Sequence, residues 1–482
     1  MNNLLTFFIE EPNLIFSERA ECTEPQGGLY LYGPSGRYAD NKPNPIISDV
    51  GIVGTSKSIG ATQTFFEYIH RVIPSESVGR LDFPGLGINN KLLFDIKFDE
   101  QWIEIINDKE IQQGNEMDDR LKRIDYFLDL IDKKMLNIKK KGEPDLIIFS
   151  LPEEIIQLCK NPEHKGDNII ITDRRFKKEL TQEQIKGDFD FHSIIKLFGM
   201  KHNIPTQFIK PKTLDIYRKI GVQDLATRAW NLSVAMYYKS KGYPWKIAKL
   251  DPFTCYAGIS FYREVDKDKH SMRASVAHLF LHTGECIVLT GEPFEWDDPS
   301  VEPILTTEQT IILKKKIIKG YEEIHGELPK RLVIYKKTDF TEDEIIGFKE
   351  NEDKSINEID LLTVKYSNIK WFREGDYPPP RGTVIKCPNN EFLLFTLGFI
   401  QDMNTYPQAG IPSPLRIIAY NLDSDERKMC REILSLSKLN WNNINYCELF
   451  PGPIAVSGII GKILSEGRSK KIPIKTEFRF YM

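Results

Sequence analysis

The stretch Pro144-Asp-Leu-Ile-Ile-Phe-Ser-Leu-Pro152 constrains the fold of this chain more than any other. Its apolar run does not alternate, which suits a strand buried on both faces. Pro152 then falls near the first turn of a helix, where its missing N–H is not needed. A buried strand feeding a helix opens an α/β unit. The next segments continue it: a helix at about 190–202, with Asp190 as candidate N-cap and Asn203-Ile-Pro205 as its stop, then a short strand from Thr206. A second helix is predicted from Asp224 to Lys241, with Leu225, Ala229, Leu232 and Met236 on one face and Gly242 at C′. From Cys255 the chain turns strand-rich, with runs at 255–262, 277–281, 286–290 and 331–335, which predicts a further α/β domain.

Upstream, residues 1–90 read as short strands between Gly, Pro and Ser turns, with a helix at 62–69 and a first strand in the opening apolar residues. Residues 98–141 carry dense mixed charge. Leu121, Ile124, Leu128 and Ile131 recur there at helical spacing, which predicts a solvated helix. The expected organisation is an N-terminal strand and helix segment over 1–144, an α/β domain over 145–250 and a second one over 251–482.

Charge is distributed unevenly over this frame. Residues 196–249 hold eleven Lys and Arg against two acids, Asp215 and Asp224, in a chain of 482 residues whose formal net charge is −4. Tyr217, Trp230, Tyr237, Tyr238, Tyr243 and Trp245 lie among those bases. A basic, aromatic stripe on an acidic protein suits a polyanion held at one place, with ammoniums for phosphates and rings for bases. No apolar run approaches the roughly 18 residues of a membrane span. The seven cysteines are scattered without a CxxC pair, as expected of reduced thiols in cytoplasm.

At the start of the stripe, His192 and Lys196 are four apart and share a helix face. Gln207 begins the following strand, and Lys239 lies two helical turns beyond Asn231. Brought together, these ammonium, imidazole and amide groups suit a terminal phosphate; left apart, they are ordinary surface polar residues. Lys201, Lys210, Lys212, Lys241 and Lys246 are candidates for contacts along a nucleic-acid backbone. Gly51-Ile-Val-Gly54-Thr-Ser-Lys57-Ser58 lacks the spacing of a phosphate-binding loop and reads as a strand-to-helix turn. His278 and His282 read as strand residues, not as metal ligands.

The order Phe191-His-Ser-Ile-Ile-Lys196, Ile204-Pro-Thr-Gln207, Asn231-x7-Lys239 and Gly242-Tyr-Pro-Trp245-Lys resembles the MID domain of prokaryotic Argonaute and Piwi proteins. The resemblance implies a Rossmann-like MID domain whose His192, Lys196, Gln207, Asn231 and Lys239 bind the 5′-phosphate of a guide strand. His192 stands where many members have tyrosine. It also implies a C-terminal carboxylate, here that of Met482, reaching this pocket with a Mg2+ ion. Ala235 occupies the position of a metal-supporting polar residue. Downstream, Tyr256-Ala-Gly-Ile-Ser260, Arg331-Leu-Val-Ile-Tyr-Lys-Lys337, Pro412-Ser-Pro-Leu-Arg-Ile, Phe450-Pro-Gly-Pro and Gly461-Lys-Ile-Leu resemble an RNase H-like PIWI domain.

A cleaving PIWI domain uses carboxylates to hold two metal ions. Here Ser260, Lys337 and Gly458 fall at those positions, so the resemblance implies a chain that is not an enzyme. The first 144 residues are too few for the N and PAZ domains of long members, and the chain is similar to short prokaryotic Argonautes, which act in defence. That likeness implies a guide RNA, a single-stranded DNA target and a partner chain with an APAZ region joined to a TIR, sirtuin-like or nuclease effector. Two other readings remain open. One is a guide-directed nuclease with a displaced acidic site at Glu264 or at Asp339, which would share a strand face with Lys337. The other is a non-catalytic α/β nucleotide-binding protein.

Overall fold

The computed structural model describes residues 5–36, 45–77, 79–159, 163–165, 168–170, 191–266, 269–280, 286–295, 303–350, 356–371, 379–401, 403–406, 411–469 and 472–482. Asp190, His282 and the side chains of Glu264 and His278 lie outside the described set.

Leu146–Ser150 is a strand buried at every position. It lies inside a four-stranded sheet in the spatial order Phe94–Ile105, Ile46–Gly54, Leu146–Ser150, Thr206–Phe208. All three pairings are parallel. The expected division at 144/145 runs through this one sheet, because Val50 pairs with Leu146 and Gly54 with Ser150. The Phe94–Ile105 strand is hidden in the sequence by its composition. It is an outermost strand and carries Asp95, Lys97, Asp99 and Glu100 at half-buried or exposed positions, so its charge density reads as helix or loop.

The Arg120–Lys141 helix packs against this sheet. Ile124, Leu128 and Ile131 are buried while Leu121 is 44% exposed, so one face of the expected solvated helix is core. The helix expected at 62–69 begins earlier, at Ser56, where Thr55 and Ser58 form a capping box. Residues 51–58 are thus a strand-to-helix turn, as their spacing predicts. The Leu225–Lys239 helix has Asp224 as N-cap. It ends in a Schellman motif, with bonds from the Gly242 N–H to the Tyr237 carbonyl and from the Lys241 N–H to the Tyr238 carbonyl. Lys241, at φ 68°, takes the left-handed C′ position expected of Gly242. Glycine is required one residue later, because a Cβ on Gly242 would come within 2.3 Å of the Tyr237 ring.

The downstream half holds a nine-stranded sheet among the described residues. Thr254–Asp266 pairs antiparallel with Lys269–Phe280, which pairs antiparallel with Cys286–Glu295. On its other side it pairs parallel with Arg331–Lys336, and that strand pairs parallel with Glu358–Tyr366. The resulting order, 3-2-1-4-5 for these five, is that of an RNase H-like fold. Leu415–Asn421, Glu391–Leu394 and Thr383–Cys387 extend the sheet, and the opening strand Leu5–Phe8 forms its rim.

The two halves meet over the Leu225–Lys239 helix. Tyr238 stacks on Trp441 at 4.5 Å, and the Trp245 indole donates to the Lys438 carbonyl at 3.0 Å. None of the seven cysteines is joined in a disulfide. Among the described residues, no helix is long and apolar enough to cross a membrane.

Candidate nucleic-acid interface

Lys196 projects from the Phe191–His202 helix and Lys239 from the last turn of the Leu225–Lys239 helix. Each is 1% exposed. Both ammoniums donate to one acceptor, the carbonyl of Thr206, at 2.6 Å and 3.0 Å. Lys239 also donates to Gln207 Oε1 at 2.5 Å. His192 is exposed, its ring edge-on to Phe208 at 5.9 Å. Lys196, Gln207 and Lys239 thus converge at the Thr206–Phe208 strand, with His192 beside its far end.

Asn231 is not part of this convergence. It stands eight residues before Lys239, roughly 12 Å along the helix axis. Its side chain donates to Gln223 and accepts from the Ile444 N–H at 3.1 Å, tying the helix to the downstream half.

Among the described residues, neither Lys196 nor Lys239 has a carboxylate within ion-pair distance. Burial pushes the Lys196 ammonium down to about 8. Burial, and then the charge of Lys196, hold Lys239 well below the ordinary lysine range. Two buried cations sharing one neutral oxygen suit an anion.

The C-terminal turn Phe478–Phe480 packs against both lysine-bearing helices, and Met482 is buried at 6% exposure. Its carboxylate forms no ion pair with either lysine. The closing run folds as a 3-10 turn. The Mg2+ implied by resemblance does not fit the donors present. Two ammoniums repel a divalent cation, and Ala235 offers no ligand.

The basic stripe divides on folding. Trp230, Tyr237, Tyr238 and Trp245 are core residues and cannot stack on bases, whereas Tyr217 is 84% exposed. Lys210, Lys212 and Lys241 are exposed, and Lys246 lies over the Tyr243 ring at 5.5 Å. Lys201 points away from the pocket to Asp132, at 2.5 Å. Sequence reasoning misses two groups. The Thr206 carbonyl is backbone and leaves no residue signature. Arg228 is buried, with its guanidinium on the carbonyls of Thr213 and Asp215 at 2.6 and 2.9 Å. It fixes the loop that displays Tyr217, and a charged residue set between Ala226, Ala229 and Trp230 in the helix is its available signal.

No family model and no curated protein matches the sequence. Solved structures do. Clostridium butyricum Argonaute bound to a guide DNA and a 19-mer target DNA superposes with a TM-score of 0.62 at 16% identity, over 97% of this chain and 54% of that one. Drosophila Piwi gives 0.61 at 14% identity, over 99% and 56%. A. aeolicus Argonaute gives 0.58 at 15%, over 98% and 55%. The fold is the MID–PIWI fold of Argonaute proteins. The chain spans about half the length of these structures.

In the PIWI half, Ile259 pairs with Lys336 at the last step of the parallel register, so Ser260 and Lys337 are the residues that follow it on the two chain segments. Ser260 donates to the Ser457 carbonyl at 3.4 Å, next to exposed Gly458. Gly258 permits this approach, since a Cβ there would meet the Pro453 carbonyl at 2.0 Å. Ser260 therefore lies beside Gly458, with Lys337 just past the paired strand. Lys337 is exposed, its ammonium 4.9 Å from the Phe450 ring centre. Asp339 does not share a strand face with Lys337, because the strand ends at Lys336. Its carboxylate pairs with Lys365 at 2.8 Å. Burial would raise its pKa, but hydrogen bonds from Lys365 and Tyr420 outweigh that and keep it low. Among the described residues, no group of three or more His, Cys, Asp or Glu could hold a metal ion.

Proposed function

We propose that this chain is a guide-binding recognition subunit. It anchors a short guide, RNA by preference, through a 5′-terminal phosphate held by Lys196 and Lys239, with Gln207 and His192 orienting it. The observation that carries this reading is the pair of buried ammoniums with no counter-charge among the described residues. An ion pair supplied by the chain would have neutralised them, and a phosphate monoester, at about −1.5 to −2 near neutral pH, does so from outside. Lys210, Lys212, Lys241 and Lys246 then follow the guide backbone, and base pairing to single-stranded DNA supplies sequence.

The PIWI half binds the duplex without cutting it. Lys337 places an ammonium where a two-metal site needs a carboxylate, and it would repel the ions while attracting a phosphate. Any chemistry belongs to a partner with an APAZ region and a TIR, sirtuin-like or nuclease effector. Target pairing activates that partner if the duplex-bound state binds it better. The role is one of prokaryotic defence, in the cytoplasm.

The test compares binding of 5′-phosphorylated and 5′-hydroxyl oligonucleotides to the wild type and to a Lys196→Ala/Lys239→Ala double variant. A phosphate preference that disappears in the variant is expected. Equal binding of both ends by the wild type would sink the reading.

A further inference from the structure

Lys196 and Lys239 reach the Thr206 carbonyl from two helices, at 2.6 and 3.0 Å. Two donors on one acceptor at hydrogen-bond length keep their nitrogens within about 6 Å of each other. Two full charges that close in a buried site repel strongly. Among the described residues, the surroundings bring no compensation. From the Phe191–His202 helix, His192 is exposed at the surface. On the Leu225–Lys239 helix, Arg228 is turned to the carbonyls of Thr213 and Asp215. The Thr206–Phe208 strand contributes only the Gln207 amide. On the Arg120–Lys141 helix, Asp132 is occupied by Lys201 and His202, and Lys139 is bonded to the His202 carbonyl. The Ser457–Ser469 helix presents exposed Lys462. The C-terminal turn brings Glu477, Arg479 and the Met482 carboxylate, none of them ion-paired with either lysine.

We propose that phosphate binding in this pocket is coupled to proton uptake: the empty lysine pair carries less than its full two charges, and the docking dianion draws in the missing proton. This rests on the phosphate reading of the pocket. Burial lowers Lys196 to about 8 and pushes Lys239 down further with the help of its neighbour's charge, in the sense the geometry requires. A dianion in contact opposes both effects, because an opposite charge favours the charged form of each amine. No covalent bond to carbon or phosphorus changes; each proton taken up passes from buffer to an amine.

Affinity for the phosphorylated end must then fall as pH rises, by about tenfold per unit for each proton taken up, from about pH 8 upward. Other groups do not imitate this. Above pH 8 a phosphate monoester, with a second pKa of about 6, is already a dianion, and an ordinary imidazole near 6.5 is neutral.

Isothermal titration of the full chain with 5′-phosphorylated oligonucleotide, in buffers of high and low ionisation enthalpy at about pH 8.5, reads the proton count. The expected result is uptake of at least one proton per phosphate. The same oligonucleotide with a 5′-hydroxyl should take up none, and the phosphate preference should shrink at least about tenfold from pH 8 to 9. A strong phosphate preference with buffer-independent heat overturns the coupling and leaves the pocket standing. Uptake confined to below about pH 7 assigns the proton to His192 and also overturns it. Equal binding of the two ends removes the pocket itself.

Discussion

Two places in this molecule bury a pair of cations, and they resolve the charge differently. In the PIWI half, Arg381 and Lys438 are almost wholly enclosed and flank Glu11, at 2.9 and 2.6 Å. In the MID half, Lys196 and Lys239 share a backbone carbonyl and no carboxylate. Glu11 shows compensation from within the chain. Burial would raise its pKa, yet Arg381 and Lys438 together hold it down. The first cluster is architecture, because it locks the N-terminal segment onto the sheet. The second, on the reading proposed above, waits for a ligand. A buried cation with a resident partner argues for structure, and one without argues for function.

Glu11→Gln tests this contrast most severely. It leaves two buried cations short of a counter-charge and should cost about 3–5 kcal/mol of stability, read by denaturant unfolding. A loss no larger than that of a surface substitution would dissolve the distinction. Next in size is Lys239→Met, which should leave the free protein as stable or more so. It should weaken 5′-phosphorylated guide by about 1.5–3 kcal/mol, the worth of a charged hydrogen bond, seen in equilibrium binding.

The pH dependence of stability is a finer probe. Lys196 titrates at about 8 in the folded chain, against about 10.4 when unfolded. Between those values the unfolded chain binds the extra proton, so ligand-free stability rises with pH. One proton is worth roughly 1.4 kcal/mol per pH unit. Lys438, also near 8, adds to the same slope. Thermal melts of Lys196→Met between about pH 8 and 10 should therefore show a shallower rise than the wild type. The smallest effect belongs to Lys201→Ala. Its pair with Asp132 lies at the surface, so stability should change by less than about 1 kcal/mol, and guide affinity should hardly move.

Much of the fold is visible in local patterns. The Leu146–Ser150 strand, the Thr206–Phe208 strand and the Leu225–Lys239 helix each carry apolar spacing or capping that elementary chemistry reads directly. The Phe94–Ile105 strand is not visible in this way. An edge strand keeps one side in water, and its charges erase the pattern. The division at 144/145 could not be corrected from sequence either. Pairing of Ile46–Gly54 with Leu146–Ser150 joins segments far apart in the chain, and nothing in either strand names its partner.

The candidate site divides similarly. Residue identity is enough to propose Lys196, Gln207 and Lys239 as groups suited to a phosphate. It does not separate them from Asn231, which has the right type and helical side but sits two turns away on Ile444. Nor does it tell the exposed ring of Tyr217 from the buried rings of Trp230 and Trp245. The order of residues dictates which elements form and which chemistries are present, because those follow from side chains a few positions apart. Only folding settles which cations are left without a counter-charge. Desolvation and ion pairing depend on what packs overhead, and that comes from distant segments: Glu11 for Lys438, and, among the described residues, no acid at all for Lys196 and Lys239.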